Sequence, residues 1–473
     1  MMSVSEASAL YGISGARIRK LIQEKRISAE RQGKYWYVDE ASLQAYLRHA
    51  VPGRPTKRER QVKDHFKPQE FAFMSRGHVV GRCVYDPLLK QFTQFELKDE
   101  ARAPLALHSY EKSGLCKKFN DWWGLRAVPM SRSKMRHKLH TLGLESTFEA
   151  PLKSLGLSLS DQYWLCPEEA PVSWEDITFF RQQFELGEVK DDPLGRENPW
   201  LSAIGLNSPD NTTDGMLEKR WILDAGGRRL LVKGCGESGR EAVGEVVATM
   251  LYRRLLPASR YVDYRLARWN GRTVSVCETF LRDDEEFIPA WYVKRLKKRA
   301  NNHSAYRHYC ELCQDLNVFD AQRQLDRMLV CDSILANTDR HWGNFGIVRN
   351  VETLELRAAP IFDTGTSLWS HLSVADMVAG DYAFTTKPFY EKPNRQLDLV
   401  IDASWYDARA LEGFVDEVRE FLTELLLADT ATVICQGLAK RVETANFWAR
   451  NAPTSAFSPE VLGDPETLDL VWL

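Results

Sequence analysis

At 473 residues the chain exceeds one ordinary domain, and two or three are expected. Its 44% hydrophobic and 27% charged residues are those of a globular protein, which excludes a disordered or fibrous chain. No run approaches the ~20 apolar residues of a membrane span and the N-terminus lacks a signal-peptide core, so a cytoplasmic protein without a membrane partner is expected.

Residues 1–68 carry 14 Lys+Arg against 7 Asp+Glu, a net of +7, leaving −9 on the rest of a chain whose total is −2. A basic head on an acidic body points to a nucleic-acid-binding module joined to something else. Ser3 and Glu6 are spaced as a capping box and open a short helix that runs to Tyr11. After a Gly12-Ile13-Ser14 turn, residues 14–25 form a second helix with Ile18, Leu21 and Ile22 inward and Arg17, Arg19 and Lys20 outward. Residues 27–38 turn at Gly33, flanked by Arg31, Lys34, Tyr35 and Trp36, as a small β-wing, and residues 39–50 close with a third helix. This order resembles the excisionase-type winged helix-turn-helix of the MerR group. The resemblance implies a DNA-binding domain over residues 1–51 that meets duplex DNA through Arg17, Arg19, Lys20, Arg31 and Lys34. A helical protein-docking domain is the competing reading, because a charged helix face is often only solvated. Residues 52–68, with Pro52-Gly53-Arg54-Pro55, read as a basic linker.

Residues 69–200 form an accessory region with little signal. Phe71-Ala72-Phe73-Met74 and Gly81-Arg82-Cys83-Val84-Tyr85 suggest a small β element, and Phe119-Asn120-Asp121-Trp122-Trp123 a helix whose Trp pair is core. Next, two strands alternate around Gly226-Gly227 as a hairpin that ends at Lys233. Residues 241–251 follow as a helix offering Glu245, or Glu241 one turn earlier, as partner to that lysine. Residues 273–281 then read as a strand entering a link, with Glu278, Thr279 and Phe280 at its end. Nine cysteines are scattered without a paired framework, which fits a reducing compartment, and Cys310-x-x-Cys313 lacks a second ligand pair and reads as structural.

An apolar helix over residues 325–335 leads into Asn337-Thr338-Asp339-Arg340-His341-Trp342-Gly343-Asn344. Residues 345–348 and 356–362 then read as two antiparallel strands ending at Asp363. Phosphoryl transfer from ATP needs one Asp to orient and deprotonate a hydroxyl, and an Asn and a second Asp to hold Mg²⁺ against the phosphates. Asp339, Asn344 and Asp363 supply that set in that order, and Lys233 stands where a kinase keeps the lysine for the α- and β-phosphates. By the same order Glu278, Thr279 and Phe280 would meet adenine, and residues 385–389 occupy the place of an activation-type loop. Asp and Asn also cap turns, which is the bland reading of the loop.

The segment resembles the catalytic stretch of the HipA-like serine/threonine kinases, Asn-Thr-Asp-x-His-x-x-Asn, and Gly215-Met216-Leu217-Glu218-Lys219 matches their Gly-x-x-Glu-Lys. The resemblance covers roughly residues 200–450 and implies an α+β fold. Its bilobal kinase core would have an N-lobe over 201–282 and an α-rich C-lobe over 283–473, behind the winged helix-turn-helix and the accessory segment. It implies Asp339 as base, Asn344 and Asp363 as Mg²⁺ ligands, and ATP contacts by Gly215, Lys219 and Lys233. It further implies a protein Ser/Thr substrate, an antitoxin-type protein partner, and self-phosphorylation for which Ser208, Thr212 and Thr213 are the candidates. Two other readings stay open: a transcription regulator whose kinase fold senses nucleotide, and a small-molecule or lipid kinase.

Overall fold

The computed structural model describes residues 1–11, 13–49, 67–126, 147–181, 219–234, 239–269 and 272–452. They form a mixed α/β structure of two compact units, one made of Met1–Glu100, Ser113–Gly124 and Trp164–Ser173, the other of the remainder.

In the first unit, helix α1 (Val4–Tyr11) begins with the expected capping box: the Ser3 N–H donates to Glu6 at 2.7 Å and the Glu6 N–H to Ser3 Oγ at 3.2 Å. Helix α2 (Gly15–Gln23) is capped by Ser14 and buries Ile18, Leu21 and Ile22. Those three sit on one stripe of a 3.6-residue period, and they pack with Val4, Ala7, Tyr11, Val38 and Leu43. Strands β2 (Ala29–Gln32) and β3 (Tyr35–Val38) pair around Gly33, whose φ of 63° suits a residue without a side chain. Strand β1 (Met2–Ser3) adds to β3 in the order β1-β3-β2, and α3 (Glu40–His49) closes the module. A four-stranded antiparallel sheet follows, ordered β6-β5-β4-β7, from β4 (Gln69–Ser75), β5 (His78–Asp86), β6 (Gln91–Leu97) and β7 (Tyr163–Pro167). Helix α4 (Leu115–Arg126) carries Phe119 and Trp122 onto Phe73, with ring centroids 5.0 and 5.6 Å apart, so the Trp region is packing.

In the second unit, β8 (Lys219–Leu223), β9 (Arg229–Lys233), β10 (Tyr264–Trp269) and β11 (Arg272–Glu278) make an antiparallel sheet ordered β10-β11-β9-β8. Asp224 shapes the β8–β9 turn, its carboxylate accepting the N–H groups of Gly226 and Arg228 at 2.9 and 2.8 Å. Helix α5 (Arg240–Leu255) packs on β10 and β11. A second sheet, β12-β13-β14, joins Glu285–Pro289, Gly346–Asn350 and Leu356–Ala358. Around it stand α6 (Ala305–Asp315), α7 (Ala321–Leu335), α8 (Phe414–Thr423) and α9 (Ala428–Ala449). From Gln324 to Leu335 every residue of α7 is buried, which makes it the central helix of this core. Cys310 and Cys313 are buried in α6, and burial pushes the Cys313 thiol up to about 12, as for packing cysteines.

One expectation needs correcting. The strand placed over residues 356–362 stops at Ala358, because Pro360 has no N–H to continue the ladder. Only Ile361 bridges again, to Tyr261, and Asp363 then adopts a left-handed φ of 57°. Asp tolerates that region better than bulkier residues.

Candidate active site and nucleic-acid interface

Lys233 ends β9 with its ammonium buried, and three groups converge on it: Glu245 at 2.7 Å, Asp363 at 2.8 Å and the Tyr264 hydroxyl at 3.0 Å. Glu245, rather than Glu241, is the α5 residue that pairs with it. The other Glu245 oxygen accepts the Thr364 N–H at 2.9 Å, so one carboxylate fastens both the lysine and the chain just after Asp363. The helix reaches this close because Gly244 faces Gly365: a Cβ on Gly244 would stand 2.8 Å from the Gly365 carbonyl oxygen.

Burial alone would drive the Lys233 proton off, but Asp363 and Glu245 outweigh it and hold the ammonium well above the ordinary lysine range. Burial likewise raises the Asp363 carboxyl, and Lys233 and then Lys219 overcome it, leaving the group well below the usual carboxylate range. Lys219 lies directly across the β8–β9 ladder from Lys233, and its ammonium is 3.8 Å from Asp363. The result is a fixed pair of cations facing one carboxylate that is 29% exposed on its open side.

The chain leaves α7 at Ala336, in the left-handed region at φ 52°, and enters the loop that carries Asp339 and Asn344. Arg340, fully buried, anchors this loop. Its guanidinium forks onto Asp332 of α7 at 2.8 and 2.9 Å. The remaining nitrogen, Nη1, donates to the Asn344 carbonyl at 2.8 Å and to the Phe362 carbonyl. One nitrogen thus ties the backbone of Asn344 to the residue preceding Asp363. Asn337 adds to the frame, donating to Asp332 at 2.9 Å and accepting the Asp339 N–H at 3.2 Å. The Asn344 side chain donates to the Asp339 carbonyl at 3.0 Å, which turns its own amide oxygen away from that bond and leaves it available. Asn344 and Asp363 are hard oxygen donors, and Mg²⁺ binds through one or two such groups plus phosphates and water, so the donor set fits.

Sequence order alone gave no individual role to several of these groups: Asp332, Arg340, Asn337, Tyr264 and Lys387, whose ammonium is 2.7 Å from Asp339. At the link, the Thr279 N–H donates to the Arg229 carbonyl at 3.0 Å and is engaged in pairing rather than free for a base. Glu278 is exposed, and Phe280 stacks on Phe362 with centroids 5.4 Å apart. Gly215, Ser208, Thr212 and Thr213 lie outside the described residues, as does most of the linker.

In the first unit, Arg17, Arg19 and Lys20 are exposed on α2, and Arg31 and Lys34 on the wing. The Arg31 guanidinium sits over the Trp36 ring at 5.9 Å, and Arg17 donates to the Tyr46 hydroxyl at 3.4 Å. Lys20 meets Glu24 at 3.8 Å, an exposed pair worth little in stability.

Residues 1–50 match the helix-turn-helix domain family, and the chain therefore carries an N-terminal helix-turn-helix. No curated protein matches the chain. Among solved structures, it is similar to the crystal structure of CtkA, a proinflammatory kinase of Helicobacter pylori. The identity is 16%, the match covers 49% of this chain and 94% of that one, and the TM-score is 0.39. Among the described residues no helix is long and apolar enough to cross a membrane.

Proposed function

We propose that the chain is a HipA-like serine/threonine protein kinase with a DNA-binding head. The observation that carries this reading is the buried Lys233 joined to both Glu245 and Asp363. A lysine buried between two carboxylates is costly as a structural device, because each charge must be desolvated. It is useful where a polyphosphate arrives: Lys233 then neutralises phosphate oxygens while Glu245 keeps it aimed.

In this reading Asp339 accepts the proton of a Ser or Thr hydroxyl as its oxygen attacks the γ-phosphorus of ATP. Its partial exposure, 39%, leaves it open to a protein substrate. Asn344 and Asp363 would hold a Mg²⁺ ion, which would supply positive charge against that of the phosphates. Arg340 contributes positioning, since it sets both ligand-bearing segments from one nitrogen. Ser208, Thr212 and Thr213 are the candidates for self-phosphorylation.

Incubation with ATP and Mg²⁺, then mass spectrometry of the protein and of a cell lysate, tests the activity. Phosphoserine or phosphothreonine appearing with wild type and absent with Asp339→Asn is the expected result. Lys233→Ala should raise KM for ATP and lower kcat/KM by about 10²-fold, as loss of one phosphate-neutralising charge does. No new phosphate on any protein overturns the reading.

For the head, the helix-turn-helix match and the exposed cations support duplex DNA binding. The full chain should bind DNA with an affinity that falls steeply as salt rises, because phosphate contacts release counterions. Arg17→Ala and Lys20→Ala should each weaken binding and flatten the salt slope by about one counterion. Salt-independent binding, or binding unaltered by deletion of residues 1–50, would favour a protein-docking head.

A further inference from the structure

Lys387 reaches Asp339 across 48 residues of sequence, its ammonium 2.7 Å from Oδ1. The loop that delivers it is tightly built. The Thr386 N–H and hydroxyl donate to the carbonyls of Glu391 and Tyr390 at 2.9 and 2.7 Å. Gln396, buried in the short helix Pro393–Leu397, donates to the Lys387 carbonyl and accepts the N–H groups of Tyr390 and Phe389 at 2.9 and 3.3 Å. Phe389 packs edge-on against Trp342 at 5.3 Å and Tyr306 at 5.3 Å, so the loop is pinned to the segment between Asp339 and Asn344. Yet the ion pair itself is half in water, with Lys387 53% and Asp339 39% exposed. Such a pair contributes about 0–1 kcal/mol to stability, too little to account for a loop so closely organised around it. Among the described residues the other basic group near this carboxylate is His341, with Nε2 4.0 Å from Oδ2.

We propose that Lys387 is a further catalytic residue, an ammonium supplied from beyond Asp363 that touches the phosphoryl group in flight. The assignment rests on the kinase reading above. In the step, the substrate oxygen forms a bond to the γ-phosphorus as the bond from that phosphorus to the β,γ-bridging oxygen breaks. ADP leaves with the electron pair, and the hydroxyl proton passes to Asp339. Lys387 keeps its proton throughout. A hydroxyl held by Asp339 lies about 3 Å from the base and the phosphorus it attacks about 3 Å further. An ammonium resting on the same carboxylate is therefore within a side-chain swing of the phosphoryl oxygens, where negative charge is spread in the transition state. Holding Oδ1, it also leaves Oδ2 to the hydroxyl.

The test compares wild type with Lys387→Ala and Lys387→Arg in the full-length protein. It reads kcat, KM for ATP, thermal unfolding, and affinity for Mg-ADP with and without aluminium fluoride, a stand-in for the transferring phosphoryl group. Lys387→Ala should lower kcat by about 10²-fold, the usual loss for one aimed charge. KM and Mg-ADP affinity should stay within about twofold, the fluoride complex should weaken in parallel with kcat, and Lys387→Arg should recover part of both. Unchanged kcat overturns the assignment. So does a faster Lys387→Ala, which would make the pair a latch, or a loss matched by lower thermal stability and Mg-ADP affinity, which would make the loop structural. A wild type that neither transfers phosphate nor tightens on Mg-ADP with fluoride overturns the kinase reading and Lys387 with it. An active wild type with an indifferent Lys387→Ala overturns this assignment alone.

Discussion

Asp339→Asn should lower kcat by about 10²–10⁴-fold while leaving the fold as it is, because under the proposed kinase function it removes the base and nothing in the packing. Its side chain is 39% exposed, and the cations beside it are the half-exposed Lys387 and His341. Stability should therefore move by no more than about 0.5 kcal/mol. Asp363→Asn should abolish transfer differently. It removes the proposed metal ligand and one of the two carboxylates on the Lys233 ammonium, leaving Glu245 at 2.7 Å as the remaining anion. Mg-ATP affinity should fall by at least about 10-fold in this variant and little in Asp339→Asn, a split that calorimetric titration with a slow ATP analogue reads directly. Near-normal turnover in either variant would sink the kinase reading.

The two variants also mark how far the sequence could be read. Asp339, Asn344 and Asp363 stand out because a short loop and a hairpin keep them within a few dozen residues, in an order chemistry requires. Lys233 and Glu245 are 12 residues apart, and a strand followed by a helix was enough to suggest their meeting. In the head, the spacing of Ile18, Leu21 and Ile22 and the Ser3–Glu6 box are local signals that tertiary structure had only to obey. For Lys387 the order of segments marked only the loop, residues 385–389, and not its pairing with Asp339. A lysine before a proline, 48 residues from its partner, shows no contact in the sequence, and only Gln396 and Phe389 fix where it reaches. The overlong strand before Asp363 failed for a simpler reason: an apolar run was followed through Pro360, where pairing must stop. Arg340 was hidden by its neighbours, since an arginine in a polar loop is ordinarily solvated.

That arginine carries the second large effect, and here it falls on stability. Arg340 and Asp332 are 0% and 4% exposed at their side chains, and burial opposes the guanidinium charge that Asp332 restores. Arg340→Ala strands the Asp332 carboxylate in the core, with Asn337 as its remaining donor, and frees the Asn344 and Phe362 carbonyls. Removing one partner of a buried pair costs about 3–5 kcal/mol, a large part of the 5–15 kcal/mol that holds a typical domain. Arg340→Lys should recover little, because a single ammonium cannot reproduce a fork that meets a carboxylate and two carbonyls together. The double change Arg340→Met with Asp332→Leu separates structure from function. With both charges gone the desolvation cost goes too, and stability should return to within about 1–2 kcal/mol of wild type. Phosphoryl transfer should not return, because nothing then sets the Asn344 and Phe362 backbones from one point. Chemical denaturation gives the first quantity and steady-state phosphorylation the second. A double variant that is both stable and fully active would show that Arg340 only fills and neutralises the core, and that the alignment of Asn344 with Asp363 comes from elsewhere.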